Sequence, residues 1–178
     1  MILPLAKPKQ SKEQTFDLIR SVSAPVALLG VRGYYKQMGR NPLGNDINIY
    51  DDALFLWSES GYMSFNANTD PSITRPRVAT LKSGIWQYRL GTHNITKAKS
   101  QQYPALVQAA PVTVVRHGAG EDTGWFGINI HRGSRTTTSS LGCVTIPPSQ
   151  WGEFFTVVKG EMNRAKVNRI PLVLIENI

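Results

Sequence analysis

Hydrophobic and polar residues alternate with a period of two along much of this chain, and that period belongs to strands. In VATLKSGIWQYRLG (Val78–Gly91), Trp86, Tyr88 and Leu90 fall on one face and Ile85, Gln87 and Arg89 on the other. GWFGINIH (Gly124–His131) alternates through Phe126, Ile128 and Ile130 and delivers His131 at the strand end. PVTVVRHG (Pro111–Gly118) is β-branched and predicts another strand. INIYDDALFLWS (Ile47–Ser58) and GYMSFNA (Gly61–Ala67) flank a Glu-Ser-Gly turn and predict a hairpin. Val26–Val31 is uniformly apolar, a strand or the end of the preceding helix, and IPLVLIENI closes the sequence as a last strand. Helical signals are fewer. Ser11 opens a short helix with Phe16, Leu18 and Ile19 as its apolar side, and Ser149 is the expected N-cap of a helix from Gln150 to about Arg164 carrying Trp151, Phe154, Phe155 and Val158. GRNPLGND (Gly39–Asp46) and GAGED predict turns, NTDPSITRPR a loop, and residues 92–105 an irregular polar stretch. The expected fold class is mainly β, with about seven strands and one or two helices.

Length and composition narrow this picture. The chain has 178 residues, 41% of them hydrophobic and 18% charged, a globular composition suited to one domain. We expect residues 1–22 to form an N-terminal arm with a short helix and residues 23–178 a single domain. No run approaches eighteen apolar residues, so no membrane span is expected. The start, MILPLAKPKQSKEQTFDLIRS, lacks the pattern of a secretory signal. The net charge of +8 favours anionic partners, among them nucleic acid, anionic lipid and the acidic bacterial cell wall. The basic residues are scattered, however, and are not interleaved with aromatics into a base-stacking face, so nucleic acid is not the expected partner. Asp46, Asp51 and Asp52 lack the glycine and terminal glutamate of a calcium loop and read as a turn and strand edge.

The only cysteine, Cys143, rules out an internal disulfide and a multi-thiolate zinc site. It lies in Ser-Leu-Gly-Cys, twelve positions after His131. A thiol attacks as thiolate and needs a base, for which histidine is the natural partner. Gly142 permits a tight turn that can aim backbone N–H groups, its own included, at an oxyanion. Between the two residues, RGSRTTTSS supplies arginine and hydroxyls. Ser139, Ser140, Arg132 and Gly133 are the expected substrate contacts, Trp125 a cleft wall, and Arg132 or Arg135 a carboxylate-binding group. Two other readings stay open. A zinc amidase would use His93, His117, His131 and Cys143, although no HExxH-like spacing is present. A non-catalytic basic module would bind the wall or nucleic acid.

The strand–His–loop–Ser-x-Gly-Cys-Val pattern, carried here by His131, Ser140, Gly142, Cys143 and Val144, resembles the catalytic domain of the L,D-transpeptidase (YkuD-like) family. ATLKSGIWQY is similar to that family's segment upstream of the motif, and the helix and closing strand after the cysteine also fit, so the resemblance covers about residues 45–178. Leu141 and Thr145 stand where the family usually has His and Arg, and Arg132 follows the histidine in place of Gly, as in a divergent, compact branch of phage- or toxin-associated type. The resemblance implies a β-sandwich or barrel-like domain and acyl transfer without a cofactor or metal. Cys143 would attack an L,D-peptide bond of a peptidoglycan stem peptide with His131 as base. The outcome would be hydrolysis (L,D-carboxypeptidase or endopeptidase) with transpeptidation as a further possibility. It also implies a bacteriolytic protein made in the cytoplasm and acting in the periplasm or wall after release or delivery.

Overall fold

The computed structural model describes residues 2–36, 38 and 45–177. In chain order it contains α1 (Lys12–Ile19), β1 (Val26–Arg32), β2 (Asp52–Ser58), β3 (Tyr62–Ala67), β4 (Ala79–Leu81), β5 (Gly84–His93), β6 (Tyr103–Gln108), β7 (Val112–Arg116), β8 (Gly120–Gly124), β9 (Ile130–Arg132), β10 (Val144–Ile146), α2 (Pro148–Arg164) and β11 (Ile170–Glu176). The fold is mainly β, as the alternation predicts, with more and shorter strands than expected. Most of the predicted turn at Gly39–Asp46 lies outside the described residues.

Eight strands form one sheet in the order β10-β9-β6-β5-β11-β1-β2-β3, and β4-β7-β8 form a smaller one. The large sheet nearly closes on itself. Immediately after β3, Asn68 and Thr145 of β10 exchange two backbone hydrogen bonds of 2.9 and 2.8 Å, bridging the two sheet edges. The result is barrel-like, and β9 and β10 lie at its seam.

The inner face is apolar because every second residue points there. Leu28 of β1, Leu54 and Leu56 of β2, Phe65 of β3, Tyr88 of β5, Ile130, Val144 and Leu172 are all buried in one cluster with Leu81 and Val114 of the small sheet and Phe154, Val158 and Met162 of α2. Each such large side chain contributes about 1.5–3 kcal/mol on burial. The opposite face of β1 and β2 is also covered: Ala27, Leu29 and Phe55 pack with Ile19 of α1. Burial on both faces explains why the β1 sequence is apolar without alternation.

Ser11 caps α1 in a full capping box with Gln14, as expected. Of its predicted apolar side only Ile19 is buried; Phe16 and Leu18 remain about half exposed. The second helix departs from expectation. It begins at Pro148 with Pro147 in the cap position, and Ser149 lies inside its first turn. A proline at the first helical position has no N–H to orphan, so the side-chain cap is dispensable. Two further corrections concern strands. Residues 92–105 are not irregular throughout: β5 runs to His93 and β6 starts at Tyr103. Conversely, Gly124–His131 is not one strand. Residues 125–129 carry no ladder, and the Gln108 side chain serves them instead. Its Oε1 accepts from Phe126 N (3.2 Å) and Ile128 N (3.1 Å), and its Nε2 donates to Gly124 O (2.7 Å).

Among the described residues no helix is long and apolar enough to cross a membrane. Residues 6–10 run along the β3 side of the sheet. Tyr35 donates to Ala6 O, Ser64 to Pro8 O and Tyr62 to Gln10 O, so the tyrosines after β1 and in β3 hold the arm.

Candidate active site

Four neighbouring strands each bring one chemically active side chain to the outer face of the seam. Core residues Ile130 and Val144 point inward, so His131, one position on, points outward. β10 runs parallel to β9 with Val144 opposite Ile130, which sets Cys143 at the strand entrance beside Asn129. β6 pairs with β9 at Leu106 and with β5 so that Tyr103 stands opposite His93. His93, Tyr103, His131 and Cys143 thus come from β5, β6, β9 and the start of β10, in sheet order. They line a cleft of about 790 Å³ with Arg132, Gly133, Arg135, Ser139 and Leu141 on its walls.

His131 is 2% exposed. Its Nδ1 lies 2.8 Å from the Arg132 carbonyl and 3.0 Å from the Tyr103 hydroxyl, which is itself 3.2 Å from the same carbonyl. A carbonyl only accepts, so Nδ1 carries the proton and the Nε2 lone pair is left as the base. Burial, and then the neighbouring His93, push this imidazole down to about 3. Cys143 is half-buried. Its thiol donates to Gly127 O at 3.5 Å and accepts from Asn129 N at 3.4 Å, and burial pushes it up to about 11. In this structure the pair rests as thiol and neutral imidazole, and the thiol must rotate off Gly127 O to meet the base.

The loop before the nucleophile is braced from below. Ser140 is 2% exposed; its hydroxyl donates to Cys143 O (2.7 Å) and accepts from Gly142 N (3.1 Å), while its backbone bonds Ser72 in both directions. Ser140, expected to contact substrate, is placed beneath the loop and is not among the residues lining the cleft. Gly142 likewise spends its N–H on Ser140, so the expected oxyanion donor is reduced to the Cys143 N–H. Trp125 is 65% exposed and stands outside the cleft. Arg132, Gly133 and Ser139 do line it, joined by Arg135. Arg132 lies over the Tyr103 ring at 5.1 Å, and among the described residues neither Arg132 nor Arg135 is ion-paired.

Gly142 has a second reason to be glycine. Its φ is +128°, and a Cβ there would sit 2.7 Å from the Ala79 carbonyl oxygen and 3.1 Å from Ile128. A backbone carbonyl cannot swing aside as a side chain does. Gly142→Ala is therefore expected to lower stability by about 2–4 kcal/mol in urea unfolding and to displace the adjacent Cys143.

The zinc arrangement loses a ligand. His117 sits at the tip of the β7–β8 hairpin in the small sheet, exposed and away from His93 and His131. Among the described residues no group of three or more His, Cys, Asp or Glu side chains is arranged to hold a metal ion. Sequence reasoning overlooked Tyr103 and Asn129, and it considered His93 only as a zinc ligand. The signal available was the alternation within YPALVQ, broken by Pro104. Comparison with protein-family models, with curated proteins and with solved structures finds no match for this chain.

Proposed function

We propose that the protein is a cysteine-dependent acyl-transfer enzyme acting on L,D-peptide bonds of bacterial peptidoglycan stem peptides, chiefly as a hydrolase. The observation that carries this reading is the convergence of Cys143 and His131, from adjacent parallel strands, on one cleft rimmed by Arg132 and Arg135. The thiol proton passes to His131 Nε2 as sulfur bonds the carbonyl carbon, which spares the resting protein from holding a thiolate. Collapse of the tetrahedral adduct expels the amine, protonated by His131, and leaves a thioester on Cys143. Water then releases the acid; an amine in its place would give transpeptidation. Arg132 and Arg135 suit a substrate carboxylate, and the net charge of +8 suits adhesion to an acidic wall. The motif's resemblance to L,D-transpeptidases supplies the choice of substrate.

The test is mass analysis of purified muropeptides after incubation with the protein. Loss of a terminal D-residue, a cut crosslink or exchange of a D-amino acid supports the reading and names the reaction. A second reading, a non-catalytic basic binding module, draws on the raised thiol and its bond to Gly127 O. Unchanged muropeptides together with retention on insoluble wall material would favour it.

A further inference from the structure

The two stacked imidazoles of the cleft are not equivalent. Their ring centroids are 3.9 Å apart and the planes 20° from parallel, yet their hydrogen bonds fix opposite tautomers. The His93 tautomer is set from Gln108. Its backbone N–H can only donate, and it meets Asn129 Oδ1 at 3.2 Å. That contact orients the Asn129 amide and turns Nδ2 towards His93 Nδ1, 3.1 Å away. An amide NH2 only donates, so His93 Nδ1 accepts and the ring proton resides on Nε2. His131 is the reverse, with the proton on Nδ1 facing the Arg132 carbonyl and the lone pair on Nε2. One ring offers the cleft an acceptor and the other a donor.

We propose that His93 is a second catalytic histidine beside His131, a neutral imidazole whose Nε2–H donates to the substrate carbonyl oxygen as negative charge develops on it. This rests on the acyl-transfer reading above. The site needs such a donor, because the Gly142 N–H is already bonded to Ser140 and Cys143 supplies only one N–H. In the step itself the Cys143 S–H bond breaks, its proton moves to His131 Nε2, the S–C bond forms, and the carbonyl π pair moves onto oxygen. His93 keeps its proton and lends a hydrogen bond. Neutrality also matters, since a charged His93 would oppose the imidazolium forming on its stacking partner. Asn129 acts through His93, as a positioning residue that fixes its tautomer.

Two probes test this without peptidoglycan. p-Nitrophenyl acetate acylates a cysteine through a tetrahedral oxyanion, whereas iodoacetamide alkylates it without forming one. His93→Ala is expected to slow acylation of Cys143 about 10²-fold, the usual cost of one oxyanion donor, and to leave its alkylation within about twofold. The carboxylate of Asn129→Asp can only accept, so it holds the ring proton on His93 Nδ1, leaves Nε2 without one and should slow acylation alike. Imidazole nitrogen NMR of the wild type should show His93 protonated at Nε2 and His131 at Nδ1. Equal slowing of both reactions, no slowing of either, or a His93 protonated at Nδ1 would overturn the proposal. Failure of the wild type on muropeptides, with selective slowing of acylation retained, would overturn the substrate assignment and leave His93's role standing.

Discussion

Cys143→Ala is expected, on the acyl-transfer proposal, to lower muropeptide turnover by at least about 10³-fold while the fold survives almost unchanged. The thiol makes only two weak contacts, at 3.4 and 3.5 Å, and its loss should cost no more than about 1 kcal/mol in urea unfolding. Stability and activity therefore separate in this variant, unlike in Gly142→Ala. The same residue yields a pH test. A thiol pushed up to about 11 reacts through a small thiolate fraction that grows tenfold per pH unit. Iodoacetamide alkylation of the wild type should climb steadily from pH 7 to 10. A plateau below pH 8 would mean that a thiolate–imidazolium pair already exists without substrate, against the thiol and neutral imidazole described above.

The parts of the fold that sequence reveals are those whose signal is local. The β2–β3 hairpin is legible because Glu-Ser-Gly separates two apolar runs, and Ser58 and Gly61 close the turn with a 2.9 Å bond. β1 and β11 are legible as apolar runs, although their parallel pairing is not. β6 was missed because Pro104 and the polar residues before Tyr103 hide it. Its pairing with β9 is confined to Leu106, so a proline two positions earlier is tolerated. Residues 125–129 look like a strand because they are apolar at alternate positions, yet the Phe126 and Ile128 N–H groups bond the Gln108 side chain and that of Asn129 the Cys143 sulfur, which no periodicity encodes. The site divides in the same way. His131 and Cys143 lie close in sequence and bracket a polar loop, so a motif can find them. His93 and Tyr103 join them only through the β5–β6–β9 registers, and Asn129, two positions before His131, gains its role from the contacts with Gln108 and His93 that those registers create. The bonding within Ser140–Cys143 is equally hidden from the motif: the Gly142 N–H is bonded to the Ser140 hydroxyl, which itself donates to the Cys143 carbonyl.

Asp52→Asn should destabilise the protein by about 2–4 kcal/mol, although it removes a buried charge. Asp52 is fully buried at the start of β2. Its Oδ1 accepts from Gly33 N at 2.6 Å, and its Oδ2 accepts from Thr69 N at 2.6 Å and the Thr69 hydroxyl at 2.8 Å. That hydroxyl in turn accepts from Arg32 Nε, whose guanidinium also reaches the Thr69 and Leu81 carbonyls and Glu176. Burial and the nearby Asp51 push the Asp52 carboxyl up, but three donors aimed at two oxygens favour the ionised, acceptor-only form. Asparagine has one oxygen for those donors, so its NH2 must face an N–H. The damage would travel. Thr69 adjoins Asn68, which closes the barrel onto Thr145, and Ser72 on the same loop holds Ser140 beneath Cys143. Loss of acylation should therefore accompany the loss of stability. A variant within about 0.5 kcal/mol of wild type would mean that Asp52 already carries a proton, and that Arg32 takes its counter-charge from Glu176 at 2.9 Å and Asp70 at 3.5 Å.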